Sequence, residues 1–154
     1  MKNVIDKIKN FFENNDWKYK YNEQDNVFTA GINMGNVLGN VRILIAVDEN
    51  YYNVYTILNS KAEENYYDSV GEFLHRANYG LRNGNFEMDY SDGEVRYKSF
   101  VHFKNMNVSE EVVEESIIVG ISMIERYGRG ILKMMLGEND IKGCIESCEA
   151  SKKE

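Results

Sequence analysis

The chain has 154 residues and a formal net charge of −7, and 43% of its residues are hydrophobic. This length and composition are typical of one folded domain that needs neither a metal nor a disulfide. The acidic charge argues against binding to nucleic acids or anionic membranes, which attract clustered Lys and Arg. No apolar run approaches the roughly 18 residues of a membrane span. With only two cysteines and no signal-peptide pattern, we expect a cytoplasmic protein.

The first half of the sequence predicts one helix followed by four strands. Apolar residues from Val4 to Phe12 recur at helical spacing, and Trp17, Tyr19 and Tyr21 alternate with lysines as in a half-buried strand. Three more strands are predicted, over residues 27–34, 41–47 and 52–58.

The third and fourth predicted strands form a hairpin whose pairing can be deduced. If Glu49 and Asn50 are the loop residues, Val47 lies opposite Tyr52, and nearly all such pairs on that face are apolar or β-branched. The other face is mixed in character. We therefore expect this sheet to be covered on both sides, at least in part.

The next segment predicts a helix over residues 64–81 and then a second hairpin. Asp92-Gly93 is a strong signal for a two-residue type I′ turn. This turn would place Glu87 opposite Lys98, so that opposite charges pair on one face and apolar residues on the other.

The last predicted helix begins after Ser109, a favourable N-terminal cap. Its apolar side is long, and Val119 and Met123 make it wider than contact with one sheet requires. Gly128 leaves two alternatives open, because a glycine in a helix interior either permits close packing or marks a break.

The predicted order is helix, four strands, helix, two strands, helix. This order indicates an α+β domain with one antiparallel sheet and helices packed on it. We expect the domain to span residues 1–136. Residues 137–154 are then a charged, flexible tail with Cys144 and Cys148 as free thiols.

The titratable residues do not form a catalytic or metal-binding pattern. His75 and His102 have no predicted nucleophile or carboxylate beside them, and Cys144 with Cys148 supplies only two metal ligands. We therefore expect a protein that is not an enzyme and holds no cofactor and no metal.

One local motif and the overall order resemble a known family. The motif consists of Phe73-Leu74, Asn78, Leu81, Gly84, Phe86, Asp92-Gly93 and Val95-Arg96, followed by a long helix opened by Ser109 and acidic residues. In these features the chain resembles the YbjN family of bacterial proteins, which are labelled sensory transduction regulators and have a fold similar to that of type III secretion chaperones. The topology matches over most of residues 1–136. The family usually carries a proline near the end of the last helix, and this chain has none.

The resemblance implies a non-enzymatic, protein-binding regulator or chaperone-like adaptor. We expect an unidentified protein partner on the sheet face or on the wide side of the last helix, with Phe100, Val119 and Met123 as candidate contacts. A homodimer through that helix is a further expectation. The alternative function is a small-molecule sensor with its ligand between sheet and helices.

Overall fold

The computed structural model describes residues 1–150. It confirms the predicted α+β class, with a six-stranded sheet and four helices. The elements are α1 (Lys2–Asn14), β1 (Tyr19–Asn22), β2 (Val27–Asn33), β3 (Asn40–Val47), β4 (Tyr51–Lys61), a short 3-10 turn (Glu64–Tyr66), α2 (Tyr67–Asn78), β5 (Asn85–Met88), β6 (Glu94–His102), α3 (Glu110–Met135) and α4 (Ile141–Ala150).

The sheet is antiparallel throughout, in the order β1-β2-β3-β4-β6-β5. Val47 lies opposite Tyr52, as the apolar pairing of the hairpin predicts. The final hairpin inserts β6 beside β4, so β5 becomes an edge strand. Both edge strands, β1 and β5, are only four residues long.

Two clusters of buried side chains fill the space between the sheet and the helices. The first joins α1, β2 to β4 and the start of α3, with Phe12, Phe28 and Ile117 at its centre. The second joins α2, α4, the rest of α3 and β6, around Phe73 and Tyr127. The helix α3 takes part in both clusters and therefore holds the domain together.

The helix α3 is continuous, so the structure resolves the alternative at Gly128 in favour of close packing. The helix ends at Met135, and Gly137, which follows the cap residue Leu136, has a φ of 89° that is favourable for glycine. The amide groups of Gly137 and Glu138 donate to the carbonyl groups of Met134 and Lys133, which is the Schellman motif. A glycine thus ends this helix where the resembled family usually carries a proline.

The expected flexible tail is wrong for residues 141–150, which form the helix α4. Cys144, Ile145 and Cys148 lie on one face of α4 and are buried against α2 and α3. The carboxylate of Asp140 caps the helix by accepting a hydrogen bond of 2.9 Å from the amide of Gly143. The domain therefore extends to residue 150, and the remainder of the predicted tail, residues 151–154, lies outside the described residues.

The second hairpin pairs two residues away from its predicted register. Glu87 lies opposite Arg96, and five residues, 89–93, separate the two strands instead of a two-residue turn. The carboxylate of Asp89 accepts a hydrogen bond of 2.8 Å from the amide of Ser91, which favours a wider turn than Asp92-Gly93 alone would make. A shift of two residues keeps every side chain on its predicted face.

The corner between α2 and β5 accounts for part of the motif. The helix α2 ends at Asn78, three residues before its predicted end. The side-chain amide of Asn78 donates to the carbonyl group of Phe86 at 2.9 Å and accepts from its amide at 2.7 Å. The side chain of Asn78 thus satisfies the backbone groups of Phe86 that a neighbouring strand would otherwise bind, and it connects the edge strand β5 to α2.

Candidate functional site

One face of the sheet carries no helix of residues 1–150, because α1 to α4 all pack on the other face. The expected coverage of both sides is therefore not provided by the helices. The strand residues whose side chains point away from the helices define what we call the open face. They are Lys20, Asn22, Val27, Thr29, Gly31, Asn33, Asn40, Arg42, Leu44, Ala46, Tyr51, Asn53, Tyr55, Ile57, Lys61, Asn85, Glu87, Glu94, Arg96, Lys98, Phe100 and His102, and we include Lys18, which directly precedes β1. This face mixes apolar and polar residues. Its apolar residues are covered by the long side chains of neighbouring polar residues and not by a layer of helices.

A trough of about 440 Å³ crosses the open face over strands β1 to β4. Its floor is apolar and its rim is cationic, with Gly31, Leu44 and Ile57 in the floor and Lys18, Lys20 and Arg42 around it. Gly31 deepens the trough, because a Cβ atom at this position would meet no atom within 4 Å.

The open face has the opposite charge to the molecule as a whole. The chain has a net charge of −7, whereas the open face carries six cations and two carboxylates, a net charge of +4. The charged groups are Lys18, Lys20, Arg42, Lys61, Arg96 and Lys98, with Glu87 and Glu94. This separation of charge makes the open face an attractive surface for an anionic group.

The cations at the β6 end of the open face are already paired. Arg96 and Lys98 both donate to the carboxylate of Glu87, at 2.7 and 2.9 Å. The guanidinium group of Arg96 also lies 4.3 Å from the centroid of the Tyr55 ring. These contacts hold the side chains of Arg96 and Lys98 in place at the end of the open face next to β5.

The cations around the trough are freer. Arg42 donates to the carboxylate of Glu94 at 3.1 Å, but its side chain is still 57% exposed. Lys18 and Lys20 form no ion pair with any described residue. These two ammonium groups are therefore available to a ligand.

We expect the variant Glu87→Gln to lose more stability at neutral pH than at acidic pH. Burial opposes ionisation of Glu87, but hydrogen bonds from Lys98 and Arg96 outweigh it and hold the pKa below its ordinary value of 4.5. A carboxyl group with a lowered pKa stabilises the fold above its unfolded pKa, and this stabilisation disappears as the pH falls through the folded pKa. Urea unfolding at pH 7 and pH 3 measures the effect. A difference between wild type and variant that is equal at both pH values would contradict it.

The three predicted contact residues do not lie together. Phe100 is on the open face, 53% exposed, with its ring centroid 5.5 Å from that of Tyr51. Val119 and Met123 are on α3, on the far side of the sheet, and are partly buried in the second cluster. The trough was not predicted from the sequence, although the alternation of Lys18 and Lys20 with half-buried aromatic residues contained its signal.

A groove of about 790 Å³ lies between α3 and α4, bordered by Met123, Arg129, Lys133, Cys144 and Cys148. Burial raises the pKa of both thiols, which keeps them protonated and unreactive near neutral pH. Within residues 1–150, the structure brings no three Cys, His, Asp or Glu side chains together as a metal site.

None of the helices in residues 1–150 combines the length and the apolar character that crossing a bilayer requires.

The comparisons with known proteins identify no relative of this chain. A search with protein-family models finds no match to this chain, and a search of curated proteins finds none either. The open face is therefore the feature on which a functional proposal rests.

Proposed function

We propose that this protein is a non-enzymatic adaptor of the cytoplasm that binds a partner protein on the open face of its sheet. This is the type of function that the YbjN-like pattern implies. The observation that carries the proposal is the uncovered sheet face, whose charge is opposite to that of the whole chain. The two free, buried thiols suit a reducing compartment.

The open face is large enough for a specific complex. Six strands about 4.8 Å apart span about 24 Å, and strands of about eight residues have a similar length. The sheet treated as a flat rectangle therefore has an area of roughly 600 Å², and projecting side chains add to it. This area is close to the 800 Å² or so that each partner buries in a standard interface. Phe100, Tyr51 and Arg42 add residue types that are enriched at interfaces.

A homodimer through α3 is the alternative assembly, and the charges around that surface disfavour it. The outer side of α3 exposes Val112 and Ile118, but Glu111, Glu114 and Glu115 surround them. Two copies that met on this side would bring like charges together. Light scattering tests this point, because a dimer would have twice the 17.9 kDa mass of one chain.

The sensor alternative requires a ligand between the sheet and the helices, and buried side chains of the two clusters pack in that region of residues 1–150. The two buried clusters meet along α3, where Tyr52, Thr56 and Ser116 form a polar seam. The adaptor function is therefore the better supported of the two.

The proposal is tested by comparing what a tagged wild type and tagged variants capture in the native host. Phe100→Asp places a charge at the exposed aromatic residue of the proposed interface, and loss of one good contact weakens binding by about tenfold. Tyr79→Asp is the matched control, because Tyr79 is 97% exposed and follows α2, away from the open face.

We expect one protein to be captured in stoichiometric amount by the wild type and by Tyr79→Asp, and to be depleted at least tenfold with Phe100→Asp. Quantitative mass spectrometry measures the amounts, and circular dichroism checks that each variant is folded. Equal capture by Phe100→Asp, or loss with Val119→Asp instead, would contradict binding at the open face.

A further inference from the structure

We infer that the partner presents an acidic segment whose carboxylates flank a large apolar side chain, and that this side chain occupies the trough. The inference rests on the proposed function, because it concerns the chemistry of the partner at the same surface. It follows from three observations, which are the shape of the trough, the free cations around it and the charge of the remaining surface.

The shape of the trough calls for an apolar side chain. Its floor is formed by Leu44 and Ile57, and the absent side chain of Gly31 leaves a depression between them and β1. A volume of about 440 Å³ lies in the lower part of the range, about 300–1,000 Å³, that is typical of ligand pockets. A bulky aliphatic or aromatic side chain would bury its surface there.

The cationic rim of the trough favours a ligand that carries carboxylates. Lys18 and Lys20 extend from the β1 side without ion pairs, and Arg42 stands on the opposite side with most of its guanidinium side chain exposed. An apolar side chain in the floor would bring its neighbours in the sequence within reach of both sides. Acidic neighbours would form ion pairs with these cations, whereas basic neighbours would be repelled by them.

The charge of the remaining surface orients such a segment. The chain as a whole has a net charge of −7, so an acidic segment is repelled by the acidic parts of the molecule and attracted to cationic surfaces such as the open face. The same acidity disfavours a nucleic acid, which needs many phosphate contacts. The exposed ring of Phe100 is on β6, three strands beyond β2 and four beyond the lysines of β1, so aromatic and free cationic groups do not alternate as base stacking requires.

Binding of defined probes to the full chain, measured by fluorescence anisotropy at low salt, tests the inference. The first probe is a labelled ten-residue peptide, Gly-Ser-Glu-Glu-Leu-Phe-Glu-Glu-Gly-Ser. In the second probe Lys replaces every Glu, and in the third Ser replaces Leu and Phe. A twelve-nucleotide oligouridine is the fourth probe.

Two pairs of variants locate the binding site. Gly31→Leu fills the trough from a position where an added side chain meets no atom, and Gly31→Ala is its control. The double variant Lys18→Glu/Lys20→Glu reverses the rim, and Arg129→Glu/Lys133→Glu makes the same charge change on α3. Each variant is also used in the capture experiment in the native host.

We expect the first probe to bind at least tenfold more tightly than the second and third. Its affinity should fall at least tenfold with Gly31→Leu and with the Lys18/Lys20 double variant, and change less than twofold with their controls. Equal binding of the lysine peptide, or an unchanged affinity with Gly31→Leu, would overturn the inference.

The two proposals fail in different ways. If Gly31→Leu and the Lys18/Lys20 variant capture the host protein as the wild type does, while Phe100→Asp does not, the open face binds its partner without the trough, and only this inference is wrong. Tighter binding of oligouridine than of the acidic peptide would overturn both, because the occupant would be a nucleic acid.

Discussion

A chain that ends at Asn139, and therefore lacks α4, is expected to be less stable than the full chain by about 4 kcal/mol. The truncation uncovers the surface that Cys144, Ile145 and Cys148 bury on α2 and α3. Burial of one medium-sized apolar side chain contributes about 1.5–3 kcal/mol, and the two thiols contribute less than Ile145. Urea unfolding followed by circular dichroism measures the difference.

A matched substitution separates packing from charge on α4. Glu146 is exposed and makes only a surface ion pair of 3.8 Å with Lys142, so Glu146→Ala should change the stability by less than about 0.5 kcal/mol. Ile145→Asp, one residue away, should reproduce most of the effect of truncation. If the truncated chain unfolds at the same urea concentration as the full chain, α4 does not belong to the domain.

The variant Gly120→Val is expected to destabilise the protein by about 3 kcal/mol, because it forces α3 away from the sheet. A Cβ atom at Gly120 would lie far inside contact distance of Thr56 Oγ1 and 3.0 Å from Thr56 Cβ. Thr56 is fully buried on β4, so the added methyl groups overpack a layer that cannot yield. Gly80→Val is the control, since a Cβ atom there meets nothing within 4 Å.

A double-mutant cycle identifies the contact responsible. Gly120→Ala should destabilise the wild type more than a Thr56→Ala background, where the contact with Oγ1 is removed and only the contact of 3.0 Å with the Cβ atom of residue 56 remains. The hydroxyl of Thr56 forms no hydrogen bond in the structure, so its removal breaks none. Equal effects of Gly120→Ala in both backgrounds would show that the contact with Thr56 does not restrict α3.

Periodic burial explains which parts of the fold could be predicted from the sequence. The five apolar residues of α1 all face the core, and Val47 pairs with Tyr52, because one buried face imposes a regular pattern on each element. The predicted register of β5 against β6 was wrong because the register depends on the turn after Asp89. In that turn the carboxylate of Asp89 accepts a hydrogen bond from the backbone amide of Ser91. The helix α4 was missed because three buried residues in ten give a weak helical pattern.

The candidate site could be predicted only in part, because it is assembled from distant strands. Alternation places Lys20, Leu44 and Tyr55 on corresponding faces of their own strands. That they form one row across the sheet follows from the strand pairing. That no helix covers them depends on where α2, α3 and α4 pack, which local patterns do not determine. Phe100 was predicted as a contact residue, whereas the lysine rim was not.

The most direct test of partner binding at the open face is the reactivity of single lysines in the purified complex. Acetylation by a small reagent, measured by mass spectrometry, compares the free chain with the chain bound to its captured partner. We expect the reactivity of Lys18 and Lys20 to fall at least fivefold on binding, while that of Lys133 and Lys142, on α3 and α4, stays unchanged. Protection of Lys133 and Lys142 with full reactivity at Lys18 and Lys20 would place the partner on the helices and contradict this account.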